Sequence, residues 1–333
     1  MVNSAWSREE SPFHAGEMAI QERLGVRTKM EAVGRRVIRA YLLDQHRQFF
    51  AQLPFLIAGT VDAHGSPWAS ILVGAPGFLS TSDERTLQVK SQPLFGDPFA
   101  KTLAVGIDIG LLGIELHTRR RNRLNGTVVA IAPNQFTVKV GQSFGNCPQY
   151  IQARSFALTD GVKNFTAPKP LHLIERFGTP ERAMITTADT FFIATAFQRE
   201  AGAAKGVDVS HRGGKPGFVR IDDDRTLTFP DFVGNFHFNT IGNLAVTPHA
   251  GLLFIDFDRG DLLYLTGTAE VLWESDESQA FAGAERLIRF QLLHGWRIEG
   301  SLPLRWSAPD YSPFLQHTGS WEEMARSLEA KPG

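Results

Sequence analysis

Gly206-Val-Asp-Val-Ser-His-Arg-Gly-Gly-Lys-Pro-Gly-Phe-Val-Arg-Ile221, followed by Asp222-Asp-Asp-Arg-Thr-Leu-Thr-Phe-Pro-Asp-Phe-Val-Gly-Asn235, is the stretch on which the reading of the chain turns. Val207, Val209, Phe218, Val219, Ile221, Leu227 and Phe229 come in short runs punctuated by Gly, Pro and Asp, the pattern of strands joined by turns. Ser210, Arg212 and Lys215 surround paired glycines, so a hydroxyl, two cations and open backbone N–H groups share one loop. Such a loop suits a phosphate, and a solvated basic hairpin is the plain alternative.

Working outward, the order of this region has an earlier echo. Phe55-Leu-Ile-Ala58 returns as Phe191-Phe-Ile-Ala194, and Pro76-Gly-Phe78 as Pro216-Gly-Phe218. Arg85-Thr-Leu87 returns as Arg225-Thr-Leu227, Gly110-Leu-Leu112 as Gly251-Leu-Leu253, and Asn125-Gly-Thr127 as Thr266-Gly-Thr268. Matches in one order at a nearly constant offset imply a duplicated β-domain. The period is far too long for a solenoid. Short strands with evenly spaced turns favour a small closed barrel in each copy, because closure removes exposed edges.

The remaining segments frame this repeat. Residues 1–43 read as an arm and a helix, 44–154 as the first barrel, 155–178 as a linker, 179–306 as the second barrel and 307–333 as a tail. Thr28 and Glu31 have capping-box spacing, with Met30, Val33, Val37, Ile38 and Tyr41 as a buried stripe. Asp44 caps a second helix that Pro54 ends. A further helix is expected from Thr179, as cap, to Ala188. Another follows Ser275, with Phe281, Ala284, Leu287, Ile288 and Leu292 as its stripe and Gly295 as its stop. His14 and Glu17 are spaced as metal ligands can be, but no second pair lies near them in sequence, so a hydrogen-bonded arm is the reading.

The chain has 333 residues, 43% hydrophobic, with 34 basic and 35 acidic side chains. It is long enough for two packed cores. The balanced charge gives no global sign of nucleic acid or an anionic membrane surface, so an anion site must be local. Cys147, the one cysteine, excludes an internal disulfide and a cysteine zinc site. There is no long apolar run and no signal-peptide core, so a cytoplasmic protein is expected. Hydrolase, Walker and dinucleotide-fold signatures are absent.

These residues resemble the pyridoxamine 5′-phosphate oxidase-related, FMN-binding split-barrel family, and more closely a two-barrel branch of it. The likeness rests on 206–219, Phe229–Asn235 and 251–256. In the first copy it rests on Gly65–Ser70, Thr118–Gly126 and Ser143–Gln152. It implies a mainly β fold with flanking helices (α+β), made of two tandem six-stranded FMN-binding split β-barrels that form a pseudo-dimer. It also implies FMN between the barrels and an FMN-dependent oxidoreductase, with a non-catalytic flavin- or haem-binding electron-transfer module as the alternative. A small-molecule substrate or electron donor, NAD(P)H or a redox protein, would be the partner. The chain would be a monomeric pseudo-dimer or a homodimer, with no nucleic acid, no membrane and no metal.

Carried onto this chain, the cofactor residues are Ser210, Arg212, Lys215, Phe229, Pro230, Asp231 and Asn235. By the repeat, Trp68, Ser70, Lys90 and Ser91 are their first-copy counterparts. The oxidase's basic residues at the crossing turn are not reproduced, since Phe236 and His237 follow Asn235 and Pro98 follows Asp97.

Arg119, Arg121, Arg123 and Asn125 alternate as on one strand face, where an anion or opposing carboxylates such as Asp222–Asp224 would relieve their repulsion. His211 in the loop and Cys147, at what reads as a helix start, are the catalytic candidates.

Overall fold

The computed structural model describes residues 5–159, 164, 166–198 and 202–329. Strands β1 (Phe55–Val61), β2 (Pro67–Val73), β3 (Leu79–Asp83), β4 (Thr86–Val89), β5 (Asp108–Glu115), β6 (Arg120–Ala132) and β7 (Gln135–Gly145) form an antiparallel sheet. Its order is β2-β1-β5-β6-β7-β4-β3. After β8 (Phe156–Leu158) and β9 (Leu171–Ile174), the plan recurs in β10 (Thr190–Phe197), β11 (Gly206–Gly213), β12 (Arg220–Ile221), β13 (Thr226–Phe232), β14 (His249–Ile255), β15 (Leu262–Leu272) and β16 (Ala284–Ile298). Their order, β11-β10-β14-β15-β16-β13-β12, is that of the first sheet, and β9 adds to β16. The segments whose sequences echo one another lie in corresponding strands: Phe55 and Phe191 in β1 and β10, Gly110 and Gly251 in β5 and β14.

The structure is thus mainly β with flanking helices, as expected, but its hydrogen-bonded paths do not close. Where two six-stranded barrels were expected, there are open sheets of seven and eight strands. Each still wraps around its own interior. Leu56, Leu72, Leu79, Leu87, Leu111, Leu124 and Phe136, one from each strand of the first sheet, share one apolar cluster. Phe191, Phe229, Leu252, Leu263 and Ile288 anchor the second.

A third cluster joins the halves. Phe55, Ile71, Leu112, Phe192, Val209 and Tyr264 are among its members, all buried. Sheet meets sheet there reciprocally. A Cβ on Gly110 of β5 would lie 2.3 Å from the Val207 carbonyl oxygen of β11, and one on Gly251 of β14 would lie 2.3 Å from the Pro67 carbonyl oxygen of β2. Only glycine lets these backbones approach so closely.

Helices cover the ends. They are α1 (Ala15–Arg23), α2 (Arg27–Val37), α3 (Asp44–Ala51), α4 (Phe99–Thr102), α5 (Thr179–Thr187), α6 (Asn239–Val246), α7 (Asp276–Ala280) and α8 (Trp321–Glu329). His14 and Glu17 cap α1 reciprocally: the Gly16 N–H donates to His14 Nδ1 at 3.2 Å and the His14 N–H to Glu17 Oε2 at 3.0 Å. The proposed Thr28 capping box does not form. Helix α2 begins at Arg27 behind Val26, and Glu31 accepts from Ser11 and pairs with Arg27 and Arg35. Asp44 lies inside α3, behind Leu43, and Gly178 rather than Thr179 precedes α5.

The helix expected after Ser275 forms only over Asp276–Ala280, and its stripe from Ala284 onward is a strand. Phe281 is already extended, three residues after which β16 begins and pairs with both β15 and β13. Its apolar residues fit either period, and two-sided ladder pairing decides for the strand.

The segments read as linker and tail are stitched to the body. Strand β8 pairs with β17 (Leu304–Trp306), and Trp321 Nε1 of α8 donates to the Phe218 carbonyl at 3.0 Å.

Replacing Gly251 with Val should lower unfolding free energy by about 2–3 kcal/mol, because the added carbons meet backbone that cannot yield. Gly234→Ala, where an added Cβ meets nothing within 4 Å, should stay within about 0.5 kcal/mol of the parent. Urea unfolding of the two variants checks the contrast.

Candidate functional site

At one edge of the seam a cleft enclosing about 750 Å³, open to solvent, is lined from both halves. Strand β6 supplies Arg121 and Arg123, β11 supplies Ser210, His211 and Arg212, β13 supplies Asp231, and β16 supplies Arg286. A neighbouring hollow of about 480 Å³ shares Arg121, Cys147, His211 and Arg212 with it and adds Tyr150 and Pro230.

The floor is a fixed polar network. Asp208, buried, accepts from Arg123 Nη1 at 2.7 Å, Asn125 Nδ2 at 2.8 Å and Asn243 Nδ2 at 2.9 Å. Arg123 also donates to Ser210 Oγ. Asp231 accepts from Arg212, and Arg286 Nη1 stands 3.6 Å from it. Arg286 lies between the rings of Trp273 and Phe238, at 4.8 and 5.5 Å from their centroids.

Arg121 differs. Its Nε donates to the Cys147 carbonyl at 2.8 Å, and among the described residues it forms no ion pair. Burial, with Arg123 and Arg212 nearby, pushes its guanidinium down to about 10. Burial, then Arg121 and Arg212, hold the His211 imidazole well below its usual range, so the ring is neutral. Several buried polar atoms here have no protein partner: His211 Nε2, Arg123 Nε, Arg212 Nε, Arg286 Nε and Nη1, and Asn146 Oδ1. Most are donors on cations, the set an anion would satisfy.

Of the residues singled out from sequence, Ser210, Arg212, Asp231, Asn235, Arg121, Arg123, His211 and Cys147 meet in this cleft. Pro230 lines its neighbour, and Asn125 sits in the floor. Phe229 lies wholly within the second core, and Lys215 is half-buried in the β11–β12 turn, outside the cleft lining. Arg119 does not continue the β6 face. It is left-handed, at φ 56°, and donates to the Ile151 carbonyl and to Asp310. Asp222–Asp224 do not face the arginine cluster: Asp222 and Asp224 pair with Arg220 and Arg176, and Asp223 caps its own turn.

Trp68, Ser70, Lys90 and Ser91 belong to the opposite edge of the seam, in the first half of the structure. Trp68 packs on Trp296 at 4.7 Å, Ser91 donates to the Val73 carbonyl, Ser70 is buried and Lys90 is exposed. Beside Trp68, Tyr264 donates to Asp97 Oδ2 at 2.9 Å and Trp296 Nε1 to the Gly96 carbonyl at 2.8 Å. Burial pushes Asp97 up to about 6.

Arg286, Glu285, Phe236 and Phe238 also line the cleft, and the sequence reading missed them. The alternation Arg286, Ile288, Phe290, Leu292 was the available signal for Arg286. Phe236 and Phe238 are both left-handed, at φ 60° and 62°, a conformation no local pattern announces. Among the described residues no group of three His, Cys, Asp or Glu could hold a metal ion, and no helix is long and apolar enough to cross a membrane.

No protein-family profile matches the chain, and no curated protein sequence matches it. Solved structures that are similar include HupZ from Group A Streptococcus, at 15% identity and TM-score 0.28 over 35% of this chain and 90% of that one. A putative pyridoxamine 5′-phosphate oxidase from Lactobacillus delbrueckii is similar at 12% and 0.29, over 36% and 93%. A FAD-binding protein from Mesorhizobium loti is similar at 12% and 0.26, over 38% and 96%. Superpositions this loose leave function to the residues of the cleft.

Buried titrating groups at both edges of the seam and under the N-terminal arm set a pH dependence. Burial holds His14 and His237 at about 4 and His211 well below 6.5, so the unfolded chain binds the extra protons and these groups favour folding more as pH rises. Asp97, raised to about 6, and Glu17, raised well above 4.5 by burial, act oppositely. With three groups against two, stability should climb modestly between pH 4.5 and 6, and more steeply in Asp97→Asn. Urea midpoints across that window are the measurement.

Proposed function

We propose that the chain is a flavoprotein that binds FMN in this cleft and works as an oxidoreductase related to pyridoxamine 5′-phosphate oxidase, its two halves being copies of one ancestral barrel. The observation that carries the proposal is the set of arginines converging from both halves on one cleft, with buried donor atoms left open. The sequence likeness of 206–235 to FMN-binding split barrels points the same way.

Arg121, Arg212 and Arg286 bind the phosphate. Arg121 has the most to gain, since no carboxylate of this chain neutralises it among the described residues. Arg123 is held by Asp208 and keeps Ser210 in place. Neutral His211 offers its ring nitrogen to the bound molecule without adding charge. Phe232, Phe236 and Phe238 supply apolar wall on the second-half side. A bound flavin would supply reversible electron uptake, which no side chain here provides. The electron donor is NAD(P)H or a redox protein.

Purified protein should be yellow, or become so when FMN is added, with a flavin absorbance spectrum. Arg121→Ala should weaken FMN binding roughly 10- to 100-fold, the loss of hydrogen bonds to a charged group. Protein that stays colourless with FMN overturns the reading. Tight flavin without NAD(P)H oxidation would instead make the chain an electron-transfer module.

A further inference from the structure

A second hollow of about 760 Å³, open to solvent, shares no lining residue with the flavin cleft and lies between α5, the β14–β15 turn and the C-terminal segment. A buried ion pair lies in its wall: Arg154 Nη2 donates to Asp189 Oδ2 at 2.7 Å, with the two side chains 7% and 5% exposed. Each partner keeps one buried polar atom without a protein partner, Arg154 Nη1 and Asp189 Oδ1, and so does Thr190 Oγ1 beside them. The Arg154 guanidinium stacks on Phe257 at 4.2 Å, which fixes its plane.

The fold does not require this pair. By the register of the two sheets Asp189 corresponds to Pro54, since the Gly74 and Gly214 N–H groups donate to their respective carbonyls, and the first half places a buried proline where the second buries a carboxylate. A buried ion pair seldom adds stability over apolar packing, so its presence in one copy calls for a role.

We propose that this cavity is a second binding site, independent of the flavin, for a small neutral heterocycle carrying a lactam or carboxamide edge. One free donor on Arg154 and one free acceptor on Asp189 complement a ligand C=O beside an N–H. Thr190 can give or accept a further bond. Met184, Phe257 and Pro309 provide apolar wall for a ring. Asp256 and Asp258 also line the cavity. Asp256 accepts the backbone N–H groups of Asp258 and Arg259. Two carboxylates beside the Arg154–Asp189 pair disfavour anions, which separates this site's chemistry from the arginine-rich cleft.

Titration calorimetry of the full-length protein with nicotinamide and with uracil tests the site. At least one probe should bind with unit stoichiometry. The double variant Arg154→Met/Asp189→Leu substitutes apolar residues for both partners together, so neither charge is left buried alone. It should bind that probe at least about tenfold more weakly, as two polar contacts are lost. Thr187→Trp, at an exposed position lining the cavity, should block binding while leaving the ion pair untouched. FMN affinity should be unchanged in Thr187→Trp. Binding of neither probe at millimolar concentration overturns the proposal, and so does binding that both variants retain at parental strength.

Discussion

The Arg123–Asp208 pair is the interaction on which the cleft depends. It joins β6 of one half to β11 of the other, and both side chains are almost wholly buried, at 4% and 8% exposure. Such a pair survives desolvation only when its remaining hydrogen-bonding capacity is filled. Here Asn125 and Asn243 complete the carboxylate. Asn243 lies on α6, so the same carboxylate ties the crossing helix to the floor. The apolar seam brings the sheets together without direction, and this ion pair fixes their register where the cleft opens.

The two edges of the seam share a backbone plan but have opposite characters. By the repeat, Arg123 corresponds to Tyr264 and Asp208 to Trp68. Where one edge carries an ion pair and open donors, the other carries aromatic rings: Trp68 against Trp296, and Tyr264 hydrogen-bonded to Asp97. Rings of that size fill the space between the sheets with apolar surface. A pair of matching sheets therefore presents one charged cleft rather than two.

How much of this was legible in the sequence follows from the range over which each feature acts. The repeat, the strand runs and the loop at Ser210–Arg212 are local patterns, and they located half of the cleft. Arg121 and Arg123 were legible as alternating residues of a strand. Arg119 was not, because a left-handed residue ends the preceding turn before β6 begins. Arg286 was hidden for a different reason. Its segment fits helical and strand periods alike, and only pairing with β13 and β15, tens of residues apart in sequence, selects the strand. Closure of the sheets was likewise beyond local pattern, since it depends on whether distant edge strands pair.

The loop 233–238 shows why the N-terminal arm belongs with the site. Two phenylalanines in the left-handed region each cost on the order of 1–2 kcal/mol, so surrounding contacts must over-determine the loop. Phe238 is held under Arg286, and the His237 N–H donates to Asn235 Oδ1 at 3.2 Å. From the other side Gln21 of α1, fully buried, reaches the His237 carbonyl at 3.4 Å, and Glu17 accepts from Asn239 at the first turn of α6. Gly16 makes this docking possible, since a Cβ there would sit 2.2 Å from the Gly242 carbonyl oxygen. The arm precedes both sheets in sequence, yet it braces the wall of the cleft contributed by the second half. A strained loop against a cation-lined cleft, held from behind by a separate segment, is backbone conformation maintained for the shape of the site rather than for the stability of the sheet.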